Sequence, residues 1–135
     1  MDLFLVELTV ADWPAALAWY RDRLGLAVEL LDGPNRYALL AAGSARVALK
    51  AGTPSPGRTK LVFHVADLDA ELALLTQAGV VPIAPPRPSP EGYRSTRLVD
   101  PDGHRIELFE WLNPEPGTGH PSGYSPRFAG PAGGG

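Results

Sequence analysis

The chain contains no cysteine. That absence excludes disulfide cross-links, thiolate catalysis and thiolate-held zinc or iron–sulfur centres together. It also lacks any apolar run approaching the ~20 residues of a membrane-spanning helix, although 44% of its residues are hydrophobic, enough for a core. An excess of positive charge is missing too. Twelve Lys and Arg stand against 15 Asp and Glu, for a net charge of -3. A nucleic-acid-binding domain carries a broad basic footprint, so neither nucleic acid nor a membrane is an expected partner. Met1-Asp2-Leu3-Phe4 places no basic region ahead of an apolar one. No export signal is read there, and the expected location is cytoplasmic. What the 135 residues do hold is one domain of ordinary size, or two small halves sharing a core.

Glycine and proline are abundant, 15 of each, but unevenly placed. Asn113 to Gly135 holds seven glycines and five prolines in 23 residues, without a hydrophobic period. This segment, 113–135, is expected to be a flexible Gly/Pro-rich tail whose aromatic residues are Tyr124 and Phe128.

The rest of the chain repeats itself. Val10-Ala11-Asp12-Trp13-Pro14-Ala15-Ala16-Leu17-Ala18 returns as Val65-Ala66-Asp67-Leu68-Asp69-Ala70-Glu71-Leu72-Ala73, with six of nine positions identical at an offset of 55. A second echo joins Arg46-Val47-Ala48-Leu49 to Arg105-Ile106-Glu107-Leu108, offset by 59. Two modules follow, 1–53 and 59–112, joined by a linker at 54–58. In each, an extended apolar run leads into a helical pattern that stops at glycine, Gly25 or Gly79. Asp12 has the position and carboxylate of an N-cap, and Pro14 is tolerated in a first helical turn. Leu17, Tyr20 and Leu24 form one apolar stripe, leaving Trp19 off it and expected on a surface that a second copy covers. Turn clusters Asp32-Gly33-Pro34-Asn35 and Ala42-Gly43-Ser44 bound a strand from Arg36 to Ala41, and Arg46 to Ala51 closes the module. The second module reads as strand Lys60–Val65, helix Asp69–Ala78, strand Val80–Ala84, a Pro-rich loop, strand Gly92–Val99 and strand Arg105–Trp111. The order is β-α-β-β-β, twice, in an α+β fold.

Asp100-Pro101-Asp102-Gly103-His104-Arg105-Ile106-Glu107-Leu108-Phe109-Glu110 resembles the last hairpin of the vicinal oxygen chelate superfamily. That group contains glyoxalase I, extradiol dioxygenases, fosfomycin-resistance enzymes and bleomycin-resistance proteins. Val10, Asp12, Tyr20, Leu24 and Gly25 resemble its first module, so the likeness covers residues 1 to 112. The resemblance implies that the two modules form a cupped mixed sheet. In metal-using members it implies four inward ligand slots, which here fall on Leu5, Ala48, Lys60 and Glu107. Only Glu107 is a ligand type, and an ammonium at another slot repels a cation. No metal or other cofactor is therefore expected.

Alternate residues of a strand share a face. Leu5 thus brings Glu7 inward, Lys60 brings Val62 and His64, and Glu107 brings Arg105, Phe109 and Trp111. Lys60 and Glu107 are expected to pair across adjacent strands where a cation would sit, since pairing offsets part of the cost of burying Lys60. Tyr37 and Tyr93, on middle strands, and Trp111 offer stacking faces with polar tips. The expected ligand-binding set is Glu7, Tyr37, Lys60, His64, Tyr93, Glu107 and Trp111, around a small organic molecule. Glu7 and His64 are the candidates for acid/base chemistry. Three readings stay open: a metal-free binding protein; an enzyme; and an interaction module with a vestigial cavity. The enzyme is a lyase, isomerase or dioxygenase with a divalent metal displaced to Glu7, His64 and Glu107, or a metal-free acid/base catalyst. The loop from Ala84 to Gly92 is a lid or a stiff connector. His104, in a turn, receives no role. Incomplete cups with open sheet edges favour a homodimer.

Overall fold

The computed structural model describes residues 3–112; segment 113–135, and with it the tail expectation and its Tyr124 and Phe128, lies outside the described residues. The first module runs β1 (Val6–Val10), α1 (Trp13–Ala18) with a π-helical continuation (Trp19–Arg23), β2 (Ala27–Asp32), β3 (Tyr37–Ala42) and β4 (Ala45–Ala51). The second runs β5 (Lys60–His64), α2 (Leu68–Gln77), β6 (Arg87–Pro88), β7 (Tyr93–Val99) and β8 (Arg105–Trp111).

The repeat in sequence is a repeat in geometry. Asp12 and Asp67 cap the two helices in the same way, each carboxylate accepting from the backbone N–H three residues on, Ala15 or Ala70, at 3.1 Å. Gly25 and Gly79 end them in the same left-handed backbone, φ 85° at both, a conformation that costs glycine nothing. The strands form two four-stranded mixed sheets, ordered β1-β4-β3-β2 and β5-β8-β7-β6. β1 lies parallel to β4 and β5 parallel to β8, while the other pairings are antiparallel. No helix among the described residues is long and apolar enough to cross a membrane.

Each sheet presents one face to the helices. Leu8, Val10, Val47 and Leu49 from the first sheet and Leu98, Ile106 and Leu108 from the second join Leu17, Tyr20, Leu68 and Leu75 in one buried cluster. Each such side chain contributes roughly 1.5–3 kcal/mol on burial, so this shared core binds the two modules into one unit. The faces turned away from it carry the polar side chains, and there the site lies.

Two expectations fail for identifiable reasons. Val80–Ala84 forms no strand: Pro82, Pro85 and Pro86 supply no N–H for a ladder. Only Ile83 N–H reaches Arg97 O, at 2.9 Å, and pairing passes to the two-residue β6. Trp19 is buried, not on the surface: its backbone N–H still bonds Ala15 O in the α-helical register, and the side chain packs into the core beside Tyr20. Their rings meet edge to face with centroids 4.9 Å apart.

Candidate functional site

The registers of the second sheet fix a grid of side chains on its outer face. Across β5, β8 and β7 the rows read Lys60–Arg105–Val99 and Val62–Glu107–Arg97. His64–Phe109–Ser95 forms the next row, reaching Arg87 on β6, and Trp111–Tyr93 the last. Lys60 stands opposite Arg105, a like charge that repels it. Its ammonium reaches diagonally instead and donates to Glu107 Oε1 at 2.9 Å. The expected pairing of Lys60 with Glu107 across adjacent strands is therefore present in the geometry. Glu107 itself is deeply buried.

Beside this pair lies a cavity of about 450 Å³, within the range of roughly 300–1,000 Å³ common for small-molecule sites. Its floor is Tyr93, Ser95, Arg97 and Glu107, and its wall is the Pro-rich segment, including Arg87, Ser89 and Glu91. That segment is tied down. Ser89 N–H donates to Tyr93 O at 2.7 Å, and Gly92 N–H to Ser89 O at 3.0 Å. The loop between β6 and β7 therefore acts as a fixed wall. An aromatic cluster continues the floor, with Phe109 5.9 Å from Tyr93, 5.3 Å from Trp111 and 5.2 Å from His64 between ring centroids.

The remaining expected residues go elsewhere. His64 borders a second cavity, of about 620 Å³, between the β3–β4 turn and α2. Partial burial holds its imidazole below the usual histidine range, favouring the neutral ring. Glu7 borders a third, of about 270 Å³, with Thr53, Ser55 and Arg58 of the linker region and His104. Tyr37 stands opposite Lys50 in the first sheet. Strand parity gave each residue its face but not the sheet that shares its cavity. The ion site expected from Glu7, His64 and Glu107 is not assembled. Among the described residues the only such trio with ligand atoms near enough for one ion is Asp100, Asp102 and His104.

That trio is a structural clasp. Asp100 Oδ2 accepts from Tyr20 Oη at 2.6 Å and lies 2.9 Å from His104 Nδ1. Its Oδ1 accepts from the backbone N–H of His104 and of Asp102, at 2.8 and 2.9 Å. Four partners occupy the about four lone-pair sites of a carboxylate, leaving Asp100 none for an ion. Asp102 Oδ1 accepts from Ala11 N–H at 3.0 Å, which ties the β7–β8 turn to the first module. Burial first, and Asp100 second, push the Tyr20 phenol far above its usual range, so it stays a donor.

The residues at the resemblance-implied metal slots do not fit a metal. Leu5 and Ala48 have no donor atom, and the Lys60 ammonium occupies Glu107. The reading from sequence missed Arg87 and Arg97 as site residues. The signal was there: alternation from Tyr93 puts Ser95 and Arg97 on the same face.

The sequence model of the Glyoxalase/Bleomycin resistance protein/Dioxygenase superfamily matches residues 3–108. Among curated proteins, the chain is 27% identical over 128 residues to an uncharacterized protein of Bacillus subtilis (strain 168), YraH, covering 83% of this chain and 100% of that one. Among solved structures it is similar to TnmS3, an antibiotic binding protein from Streptomyces sp. CB03234. The TM-score is 0.72 and the identity 25%, over 82% of this chain and 96% of that one. A lactoylglutathione lyase from Agrobacterium tumefaciens shares the fold, with a TM-score of 0.68 and 21% identity over 81% and 92% of the two chains.

Proposed function

Since the chain belongs to the glyoxalase/bleomycin resistance protein/dioxygenase superfamily, we propose that it is a metal-free binding protein for a small organic molecule, seated on the β5–β8–β7 face. The Lys60–Glu107 ion pair carries this reading. It fills the one slot that retains a ligand-type residue with a fixed positive charge of the protein's own, beside a cavity large enough for a small molecule. Tyr93 and Glu107 floor the site, Lys60 orients Glu107, and His64 and Trp111 flank it through Phe109. The likeness to an antibiotic binding protein supports holding a ligand without chemistry on it.

A homodimer in the cytoplasm belongs to the same reading. Leu30 and Leu31 lie exposed on β2, an edge strand of the first sheet, where a second copy gives them cover. Light scattering on a sizing column reads the assembly.

The test pairs metal analysis with ligand screening. Protein purified without chelator and offered Zn, Ni, Mn and Fe is expected to hold no stoichiometric ion by mass spectrometry. A small-molecule library is expected to yield compounds that raise the melting temperature of wild type but not of Ser95→Trp, whose indole fills the cavity. One ion per chain, lost in Glu107→Gln, would overturn the metal-free reading. Binding that ignores Ser95→Trp would overturn the placement.

A further inference from the structure

We propose that the ligand of this face is an organic anion, its carboxylate or phosphate held by Arg97 and Arg105 and its body lying in the 450 Å³ cavity; the inference rests on the small-molecule reading above. The chain as a whole is acidic, with a net charge of -3. Yet this one face gathers Lys60, Arg87, Arg97 and Arg105, with Glu91 and Glu107 the acids beside them. Glu107 is paired with Lys60, while Glu91, hydrogen-bonded to the neutral Ser89 hydroxyl, keeps its charge and leaves three guanidinium groups facing one carboxylate. Arg87, Arg97 and Arg105 form no ion pair among the described residues. Uncompensated positive charge therefore remains on a surface whose chain is otherwise negative.

The cations are also arranged. Lys60, Arg97 and Arg105 border one small cavity of about 70 Å³, whose lining also includes Ile83, Leu98 and Ile106. That is room for roughly two waters, or for one carboxylate or phosphate head. Arg97 borders the larger cavity as well. A ligand reaching both would place an oxyanion among the cations and its organic part over Tyr93 and Ser95. Guanidinium groups bind such oxyanions with charge-assisted, bidentate hydrogen bonds. A cationic ligand would meet Arg87 and Arg97 at the same positions and be repelled.

The experiment uses two fluorescent probes with one aromatic frame: anilinonaphthalene sulfonate and the uncharged phenylnaphthylamine. Full-length protein is expected to bind the sulfonate at least about tenfold more tightly, the worth of one charge-assisted hydrogen bond. The double variant Arg97→Ala/Arg105→Ala should abolish that preference and bring the two probes to equal affinity. Arg21→Ala, on the exposed end of the first helix, should change neither. Half-molar salt should weaken the sulfonate alone. Naphthoate or naphthyl phosphate should displace the sulfonate, the stronger competitor naming the head group. Equal affinity for the two probes, both sensitive to Ser95→Trp, would overturn the anion inference while the site stands. So would displacement by naphthylmethylammonium in place of the two anions. Probe binding insensitive to Ser95→Trp would overturn the site, and the inference with it.

Discussion

Lys60 and Glu107 meet at 2.9 Å across parallel strands, with their side chains 12% and 3% exposed. Two charges withdrawn this far from water stabilise little as a pair, because desolvation consumes most of their attraction. The penalty appears when one is removed. Lys60→Met leaves a buried carboxylate without its cation and is expected to cost about 3–5 kcal/mol. The double variant Lys60→Met/Glu107→Leu replaces both charges by apolar groups and should fall within about 1 kcal/mol of wild type or above it. Urea unfolding of the three proteins checks this. Equal losses in single and double variants would show that the two side chains are not coupled.

Tyr20 and Asp100 are 80 residues apart and join the modules through a 2.6 Å hydrogen bond. Tyr20→Phe removes one donor from a buried carboxylate and should cost about 1.5–3 kcal/mol. The pH dependence follows from the raised phenol. Below the ordinary value of 10.0 both folded and unfolded chains keep the proton, and the stabilisation is complete. Above it the unfolded chain releases a proton that the folded chain retains, so stability falls as pH rises. Unfolding curves from neutral to strongly alkaline pH should show that fall in wild type and a flatter one in Tyr20→Phe.

His64 moves the opposite way. Burial lowers its folded value below 6.5, so well above that value the ring is uncharged in both states and contributes no dependence. As pH drops below 6.5 the unfolded chain takes up the proton first, and stability declines through the folded value. The His64 ring resonances should titrate below the ordinary midpoint by NMR, and His64→Gln should remove that part of the acid sensitivity. A midpoint at or above 6.5 would contradict the burial.

What was legible in sequence was local or periodic. The repeat located Asp12 and Asp67 as twin caps and Gly25 and Gly79 as twin stops, since each needs only neighbours in the chain. Period two located the Lys60–Glu107 pair, because both residues lie on adjacent strands of one sheet. The same period misled at Glu7: it gives a face, and cannot give which of two sheets completes a cavity. Trp19 was misplaced because the buried face of the helix is wider than the Leu17–Tyr20–Leu24 stripe and takes in both Trp19 and Tyr20. The Asp100 clasp was invisible because Tyr20 and Ala11 reach it from another module.

The linker offers the last test, through two glycines of like backbone and unlike surroundings. Gly92 and Gly103 both adopt left-handed conformations, at φ 93° and 88°. A Cβ at Gly92 would meet no atom within 4 Å, whereas one at Gly103 would sit 3.1 Å from Pro56 Cβ. Gly92→Ala therefore carries backbone strain alone, about 1–2 kcal/mol. Gly103→Ala adds a crowded contact with a stiff ring in the linker, and either Pro56 or the β7–β8 turn must move. That turn also anchors Asp100 and Asp102, so displacement there would loosen their bonds to Tyr20 and Ala11. Gly103→Ala should be the more destabilising of the two in urea, and a Pro56→Gly background should bring it back toward the Gly92→Ala value. Equal losses without that background would mean that the linker yields freely and does not brace the turn.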